Sequence, residues 1–392
     1  MTDAAGLQRA VRALTFGNFA IGAGVLVAAG ALNDLARDLH VSVATAGQLV
    51  TAGAITMALG APLLAWLLGG FDRRRLLVAA LLWLAFWHLL SVLFSSIAAL
   101  LPLRAIGVLA AAVFTPQAAA SIGVLAPPEQ RGRSITAAFL GWSIASVIAM
   151  PAHNLIGEHL GWRWAYGLVA ALALASAWAV WRTVPDGVRP PPMNLRAWGT
   201  VLRNPLLMAM VAVTALSGAG QFTLFTFQAP YFTQVLGVST LVLSGLFLWF
   251  GAFGVAGNMA LTRVIDRIGA ARCATLGIAA MTLTMVMWPL GTAVTAQGAA
   301  LLMALILVPW ALGCFASNSA QQARLAAAAP ASAPALLALN TSAIYVGQGL
   351  GAAGGGVIVA QAGLTSLWIA ALAWLLLALA LSWLLERQAK KP

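Results

Sequence analysis

Twelve apolar runs, each long enough to cross a bilayer, constrain this chain more than any other feature of its sequence. A membrane-spanning helix needs about 20 apolar residues to cross roughly 30 Å of hydrocarbon. Of the 392 residues, 62% are hydrophobic and 8% charged, and the mean hydropathy is +0.94, so little chain is left for a soluble domain. The sequence therefore predicts an all-α membrane protein with twelve transmembrane helices, near residues 12–33, 44–68, 76–94, 99–123, 135–156, 163–183, 205–233, 241–261, 273–291, 298–320, 334–359 and 363–385.

Lysine and arginine residues gather on one side of the predicted membrane. When the breaks between runs are assigned alternately to two sides, 18 of the 21 Lys and Arg residues fall on the side that holds both termini. Arg37 and Arg163 fall on the other side, and Arg104 lies within a run. Because cytoplasmic loops are enriched in Lys and Arg, we expect an inner-membrane protein with cytoplasmic termini. The net charge of +12 then reflects topology and attraction to anionic lipid, and we expect no nucleic-acid partner.

The break after the second run is repeated six runs later. Residues 60–75 read GAPLLAWLLGGFDRRR, and residues 257–272 read GNMALTRVIDRIGAAR. Both segments begin with Gly, end with Arg and carry an Asp among basic residues. This correspondence indicates that the chain consists of two related halves.

The longest interior break separates those halves. It contains three prolines at 190–192, and Pro-rich polar sequence behaves as an extended linker. We predict two pseudo-symmetric six-helix bundles, residues 1–183 and 205–392, joined by a cytoplasmic linker over 184–204. Two such halves with a site between them are the layout of a secondary transporter.

Three further segments complete a recognisable order of motifs. They are PPEQRGR from Pro127, GWSIASVIAMPAHNLIGEHLGWRWAY from Gly141, and LNTSAIYVGQGLGAAGGGVIV from Leu339. In this order they resemble the major facilitator superfamily, and within it the twelve-helix drug, sugar and arabinose-efflux-like proton antiporters. The likeness departs at Ala149 and His153, where Gly is usual. The resemblance implies alternating access and a site lined by both halves.

The two repeated loops resemble the family's loop signature and imply a conformational latch. The run DRIG from Asp266 matches that signature in the second half, whereas Gly69 stands at the corresponding Asp position in the first half. An Asp at a helix end beside Arg can hold helix termini together in one conformation and release them in another. The predicted latch residues are Asp72, Arg73, Asp266 and Arg267.

Arg104 is the cation that the sequence leaves within hydrocarbon. A lone charge there costs roughly 2.5 to 3.5 kcal/mol on insertion scales, so Arg104 should face the bundle and have a partner. It matches the fourth-helix Arg of the family signature, which implies a role in proton-linked switching. The alternative is that Arg104 snorkels to the membrane interface.

No acidic residue falls in the middle of a predicted run, so proton coupling needs another group. Asp34, at the outer end of the first run, could reach Arg104, and a pair that separates on movement would switch proton affinity; the alternative is a solvated Asp at a helix end. His153 lies on a run that lines the central cavity in the family, and an unperturbed histidine has a pKa of about 6.5. His88 is expected to pack at a peripheral surface. The predicted coupling residues are Arg104, Asp34 and His153.

Amides and aromatic side chains within the runs predict where a ligand binds. Amides inside transmembrane helices usually face protein or water, although a single amide more often joins helices. Gln221 and Gln228 are seven residues apart, as are Phe225 and Phe232, which would place each pair on one helical face. The predicted substrate-binding residues are Asn18, Trp142, Asn154, Gln221, Phe225, Gln228, Trp249, Asn318, Asn340, Tyr345 and Gln348.

The predicted function is secondary active transport that exports a small organic molecule, drug- or sugar-like, in exchange for protons. A proton-independent uniporter or importer is the alternative, which the lack of a mid-membrane carboxylate favours. An enzyme is not expected, because the sequence has no HExxH motif and no nucleotide-binding loop, and a sensor would need a signalling domain. The two cysteines, Cys273 and Cys314, have no metal-site spacing. We expect no cofactor or metal, a monomer, and a small molecule, protons and lipid as partners.

Overall fold

The computed structural model confirms the twelve predicted transmembrane helices. It describes residues 4–68, 70–127, 130–189, 199, 201–293, 296–329 and 332–388. Within these residues, twelve helical segments are long and apolar enough to cross a membrane, and no β-strand occurs.

The first six spans are built from eight helices. Helix α2 is a short helix that follows the first span, and α5 and α6 together make the fourth span. The bounds are α1 Ala4–Gly30, α2 Leu32–Asp38, α3 Val43–Leu67, α4 Arg73–Val92, α5 Ile97–Gly107, α6 Leu109–Leu125, α7 Arg131–Leu160 and α8 Trp162–Thr183.

The last six spans use seven helices. Helix α10 is a single short turn that continues the seventh span after a break. The bounds are α9 Pro205–Phe225, α10 Gln228–Pro230, α11 Thr240–Ile268, α12 Ala270–Met287, α13 Ala296–Ala328, α14 Ala333–Ala362 and α15 Leu367–Gln388.

The described residues divide into two compact units. The first unit takes those within Met1–Val41 and Ile55–Met193, and the second takes those within Ser42–Ala54 and Asn194–Pro392. The beginning of α3 therefore groups with the second unit, whereas the sequence placed all of residues 1–183 in the first half. The prolines at 190–192, on which the linker was predicted, lie outside the described residues, and the domain boundaries stay a prediction.

In each unit, the helices of one corresponding pair are in close backbone contact. In the first unit, a Cβ on Gly141 of α7 would lie 2.7 Å from the Phe19 nitrogen of α1. In the second unit, a Cβ on Gly351 of α14 would lie 2.8 Å from the Thr223 nitrogen of α9. Small residues allow such close approach between transmembrane helices. The first span packs on the fifth, and the seventh packs on the eleventh, as expected for two related halves.

The seventh span is broken where the sequence predicted a continuous run. Helix α9 ends at Phe225, Phe227 has φ −107° and ψ 15°, and a π-helical turn at Tyr231–Val235 follows α10. Pro230 provides a physical reason, because proline lacks the N–H and its ring clashes with the preceding turn. Consequently Gln221 and Gln228 do not lie on one face of one straight helix, and neither do Phe225 and Phe232.

Candidate functional site

Arg104 is buried in the first unit and is bound by the backbone of α1. Its side chain extends from α5, and Arg104 is only 4% exposed. The Nη1 atom donates to the Gly24 carbonyl at 2.6 Å, and Nη2 donates to the Val25 carbonyl at 2.6 Å. The partner that Arg104 was expected to need is therefore a pair of carbonyls, and burial excludes snorkelling to the interface.

His88 lies beside Arg104 rather than on a peripheral surface, so that prediction was wrong. His88 is 3% exposed on α4, and its Nε2 atom lies 3.5 Å from Nη1 of Arg104. Its Nδ1 atom lies 2.8 Å from the Leu84 carbonyl, and its ring is 5.3 Å from that of Tyr166 on α8. The rule that identified Arg104 applies to His88 as well, because a polar group inside an apolar run needs a partner.

His153 reaches the same turn of α1 from α7. It is buried, with Nε2 3.1 Å from the Ala23 carbonyl, while Nδ1 has no hydrogen-bond partner among the described residues. Side chains from α4, α5 and α7 thus converge on three successive carbonyls. We call this group the Arg104 centre; it consists of Arg104, His88, His153 and the carbonyls of Ala23, Gly24 and Val25.

Asp34 is not part of the Arg104 centre. Its carboxylate accepts from Arg37 Nη2 at 2.5 Å and from the backbone N–H of Trp162 at 2.5 Å, at the start of α8. The first N–H groups of a helix have no partner within the helix, and Asp34 supplies one. Among the described contacts, none joins Asp34 to Arg104, so the expected pair is not formed.

Asp38 extends the attachment that Asp34 makes to α8. It accepts from Trp162 Nε1 at 2.8 Å and from Arg163 Nη1 at 2.7 Å, and Arg163 Nη2 donates to Ser95 at 2.7 Å. The hydrogen bonds from Trp162 and then Arg163 hold the pKa of the Asp38 carboxyl below its usual value of 3.8. These contacts fasten the end of α2 to α8 and to the loop before α5.

Asn18 and Trp142 form a hydrogen-bonded chain between helices. Asn18 Nδ2 donates to the Ala138 carbonyl at 3.0 Å, and the Thr115 hydroxyl donates to Asn18 Oδ1 at 2.9 Å. Trp142 Nε1 donates to the Thr115 oxygen at 3.0 Å. Both the nitrogen and the oxygen of the Asn18 amide therefore form hydrogen bonds that join α1 to α6 and α7. This is the role of joining helices that was the alternative to substrate binding. Asn154, the remaining candidate of this unit, is buried on α7 next to His153.

The candidate amides of the second unit are less fully satisfied. Asn340 Oδ1 accepts from Thr214 at 2.6 Å, and Gln221 Nε2 donates to the Ser217 carbonyl of its own helix at 3.4 Å. Gln228 is 1% exposed, yet neither of its amide atoms has a hydrogen-bond partner within the described residues. The same holds for Asn340 Nδ2 and for Asn318 Oδ1.

Aromatic candidates divide between a buried cluster and an exposed position. Phe225 lies 6.0 Å from Phe250 and 6.4 Å from Trp310, measured between ring centroids. Trp249 is instead 40% exposed, its ring lies 4.6 Å from that of Phe253 at an angle of 52°, and its Nε1 donates to the Ala304 carbonyl at 2.8 Å. Tyr345 and Gln348 are buried on α14. Substrate binding by these residues stays a prediction.

Asp72 joins two segments of the first unit. It caps α4 by accepting from the Arg75 N–H at 3.1 Å, and it accepts from the Gly187 N–H at 2.7 Å. Burial alone would raise the pKa of Asp72, but the two backbone N–H groups and the charges of Arg75 and Arg74 outweigh burial and lower it. Asp72 thus fixes the loop after α3 to the segment after α8.

The neighbouring arginines strengthen that connection. Arg73 is buried, donates to the carbonyls of Leu68 and Phe71, and its N–H donates to the Val188 carbonyl at 3.0 Å. Arg74 pairs with Asp186 at 3.0 Å. In the first unit, both predicted latch residues are therefore engaged within their own unit.

The latch candidates of the second unit have a different environment. Asp266 and Arg267 are exposed at the end of α11, and neither forms a hydrogen bond or ion pair with another residue that the structure describes. Gly69, the first-half counterpart, lies outside the described residues. A latch role for these residues stays a prediction.

Comparison with known proteins identifies the family. Residues 14–335 match the family model described as Major Facilitator Superfamily. The chain belongs to this family. Its family and its structural neighbours are transporters, which are not enzymes. Among the described residues, no group of three His, Cys, Asp or Glu side chains is placed to hold a metal ion.

Relatives of this superfamily member include proteins named for resistance and efflux. It is 33% identical over 254 residues to the chloramphenicol resistance protein of Streptomyces lividans, which covers 63% of the chain and 64% of the relative. It is 27% identical over 239 residues to a probable sugar efflux transporter of Helicobacter pylori (strain G27), covering 59% and 60%. A longer match, 27% over 358 residues, covers 91% of the chain and 90% of the MFS-type transporter YbcL of Bacillus subtilis (strain 168).

Solved structures share the same superfamily fold. A D-xylose-proton symporter matches with a TM-score of 0.76 and 19% identity, covering 95% of this chain and 96% of the symporter. A bacterial homologue of the human lysosomal transporter Spinster matches with a TM-score of 0.74 and 18% identity, covering 99% and 98%. At these identities the likeness concerns the fold, which is that of a twelve-helix transporter.

Proposed function

We propose that this superfamily transporter exports a small organic molecule, drug- or sugar-like, in exchange for protons by alternating access. Two of its relatives are named for chloramphenicol resistance and for sugar efflux, and both names favour export. The relatives do not agree on one substrate. The proposal therefore covers a class of small molecules that combine apolar and hydrogen-bonding groups.

The Arg104 centre carries the coupling half of the proposal. A guanidinium in low dielectric interacts strongly with charges and dipoles near it. Arg104 is held by two carbonyls of one helical turn, with two histidines beside it. Movement of α1 would break both hydrogen bonds together, so the position of Arg104 and the proton affinity of its neighbours would change in one step. We place Arg104 and His153 in the coupling site and leave out Asp34, whose carboxylate caps α8.

The amides and aromatic groups of the second unit support substrate binding. An unpaired amide buried in protein costs free energy, and such groups persist where a ligand or water can satisfy them. Gln228 and Asn340 carry such atoms. Phe225, which precedes Gln228 in the seventh span, offers apolar surface together with Phe250 and Trp310. These groups suit a ligand that is partly apolar and partly hydrogen-bonding.

A proton-independent uniporter or importer is the second candidate. It is favoured by one observation, that none of the nine acidic residues of the sequence lies in the middle of a span. A transporter of that kind would use the Arg104 centre as a structural joint alone.

Transport into proteoliposomes with an imposed pH gradient separates the two candidates. The probes are chloramphenicol, arabinose, tetraphenylphosphonium and uridine, each labelled. We expect at least one probe to accumulate against its gradient only when the pH gradient is present. Arg104→Ala should abolish that accumulation, whereas Arg12→Gln, at an exposed position of α1, should retain it. Flux of every accepted probe that ignores the pH gradient would exclude proton exchange and leave the uniporter.

A further inference from the structure

The hydrogen bonds of His88 define which of its ring nitrogens carries a proton. A ring nitrogen that faces a carbonyl must donate, because the carbonyl has no hydrogen to give. The Nδ1 atom of His88 faces the Leu84 carbonyl at 2.8 Å and therefore carries the hydrogen in a neutral ring. Its Nε2 atom then presents a lone pair, 3.5 Å from Nη1 of Arg104. The basic nitrogen of His88 is thus directed at a fixed positive charge.

A proton on His88 would act against the position that Arg104 holds on α1. The Gly24 carbonyl accepts a hydrogen bond from Nη1 of Arg104 at 2.6 Å, and it lies beside the imidazole of His88. If Nε2 of His88 took up a proton, it would place a second cation 3.5 Å from Nη1 of Arg104, and the two charges would repel at such short range. Binding of the proton to His88 therefore favours departure of Arg104 from α1.

His153 offers a second basic nitrogen in the same place. Its Nε2 atom faces the Ala23 carbonyl at 3.1 Å and carries the hydrogen of the neutral ring. Its Nδ1 atom is buried, and no donor or acceptor among the described residues satisfies it. A buried nitrogen without a partner costs free energy, and a functional role is one explanation for its presence.

The groups around these two rings include no carboxylate in the described part of the chain. His88 faces Arg104 of α5, Tyr166 of α8 and His153 of α7, and His153 faces Arg104. Helix α1 contributes backbone carbonyls. Of these groups, the imidazoles are the ones whose unperturbed titration lies near neutral pH.

We propose that His88 and His153 form the proton-binding site of this transporter, and that protonation of His88 displaces Arg104 from its two carbonyls on α1. The inference rests on the proposed proton exchange and names the atoms that perform it. The step is a simple protonation, in which the lone pair of His88 Nε2, or of His153 Nδ1, accepts a proton and Arg104 leaves Gly24. No bond to the substrate forms or breaks.

Paired transport measurements test this proposal. Gradient-driven accumulation and substrate counterflow are measured on the same proteoliposomes with a probe that the wild type accepts. We expect His88→Gln and His153→Gln to lose gradient-driven accumulation while counterflow stays detectable. His159→Gln, at an exposed position near the end of α7, is the matched control and should keep both. Full gradient-driven accumulation in the double variant His88→Gln with His153→Gln would overturn the proposal and leave proton exchange by other groups intact.

A spectroscopic measurement keeps the proposal testable if a variant does not fold. Nitrogen-15 NMR of histidine-labelled wild-type protein reports the tautomer and protonation of each ring, assigned with His40→Gln and His159→Gln. We expect one Nδ1–H and one Nε2–H neutral ring at high pH, and protonation of at least one buried ring between pH 8 and about 5 in proteoliposomes under turnover. Two rings that stay neutral throughout, in protein that shows gradient-driven transport, would refute the assignment. Wild-type protein without any response to the pH gradient would remove the proposed function and this inference with it.

Discussion

At the residue scale, Asp72 shows how one carboxylate can stabilise two segments. It satisfies an N–H at the start of α4 and a second N–H at Gly187, after α8. Charge-assisted hydrogen bonds of this kind are stronger than neutral ones. Its pKa is below the usual value of 3.8 because those bonds and the nearby arginines favour the charged form.

Replacing Asp72 should therefore destabilise the protein in a pH-dependent way. We expect Asp72→Ala to cost about 1 to 2 kcal/mol of stability at neutral pH, the range for loss of a helix cap. Since the folded pKa is lowered, the contribution of Asp72 is complete above pH 3.8 and declines as pH falls through the folded pKa. Denaturation in detergent across that range measures the difference. Asp186→Ala, which removes a half-exposed ion pair, is the control and should cost less. Equal losses would contradict the capping role.

The Arg104 centre marks how far sequence reasoning reaches at the same scale. A charge in an apolar run had to be buried against a partner, and Arg104 is. The identity of that partner could not be predicted, because every residue has a backbone carbonyl and no residue type marks the one that is bound. His88 was predicted to lie at a peripheral surface because its neighbours in sequence, Trp87 and Leu89, are typical of a surface that faces lipid.

At the scale of elements, the closest helix contacts depend on single glycines. Helix α14 approaches α9 so closely at Gly351 that a Cβ would meet backbone atoms, which cannot move aside as a flexible side chain can. The sequence indicated this contact through glycines at four-residue spacing in the eleventh span. Those glycines, Gly347, Gly351 and Gly355, all approach the backbone of α9, but their spacing did not indicate which helix they would face.

Two substitutions on the same helix test the contact. We expect Gly351→Ala to destabilise the second unit by about 1 to 3 kcal/mol, the usual cost of overpacking. Gly354→Ala should be neutral or stabilising by up to about 1 kcal/mol, because a Cβ there meets no atom within 4 Å and Ala favours the helix. Thermal unfolding of both variants in one detergent compares them. A larger loss for Gly354→Ala would show that the α9–α14 packing is different.

The break in the seventh span was not predicted from the sequence. Hydropathy predicts that residues 205–233 lie in the membrane, but it does not predict their backbone conformation. Pro230 was a visible sign of a break. Without a break, Gln221 and Gln228 would lie on one face of the helix. In the structure, Gln228 is buried in α10, after the break.

For the whole molecule, the distribution of Lys and Arg predicts which side of the membrane holds the termini. Twelve spans leave both termini on one side, but either side of the membrane would satisfy the geometry. Most Lys and Arg residues fall on the side of the termini, and short loops rich in these residues remain in the cytoplasm. On the opposite side, Arg37 pairs with Asp34 and Arg163 pairs with Asp38. These two ion pairs reduce the unpaired positive charge on that side.

This orientation can be measured with single reactive thiols in intact cells. The native cysteines, Cys273 and Cys314, are free and buried, so a membrane-impermeant maleimide should label them little. We expect His159→Cys, at an exposed outer position, to be labelled from outside, and Arg203→Cys, exposed before α9, to be labelled only after permeabilisation. Labelling with the sides exchanged would reverse the topology and place the Asp72 connection outside. Because a proton gradient has a direction, that result would also reverse the sense in which the Arg104 centre loads and releases protons.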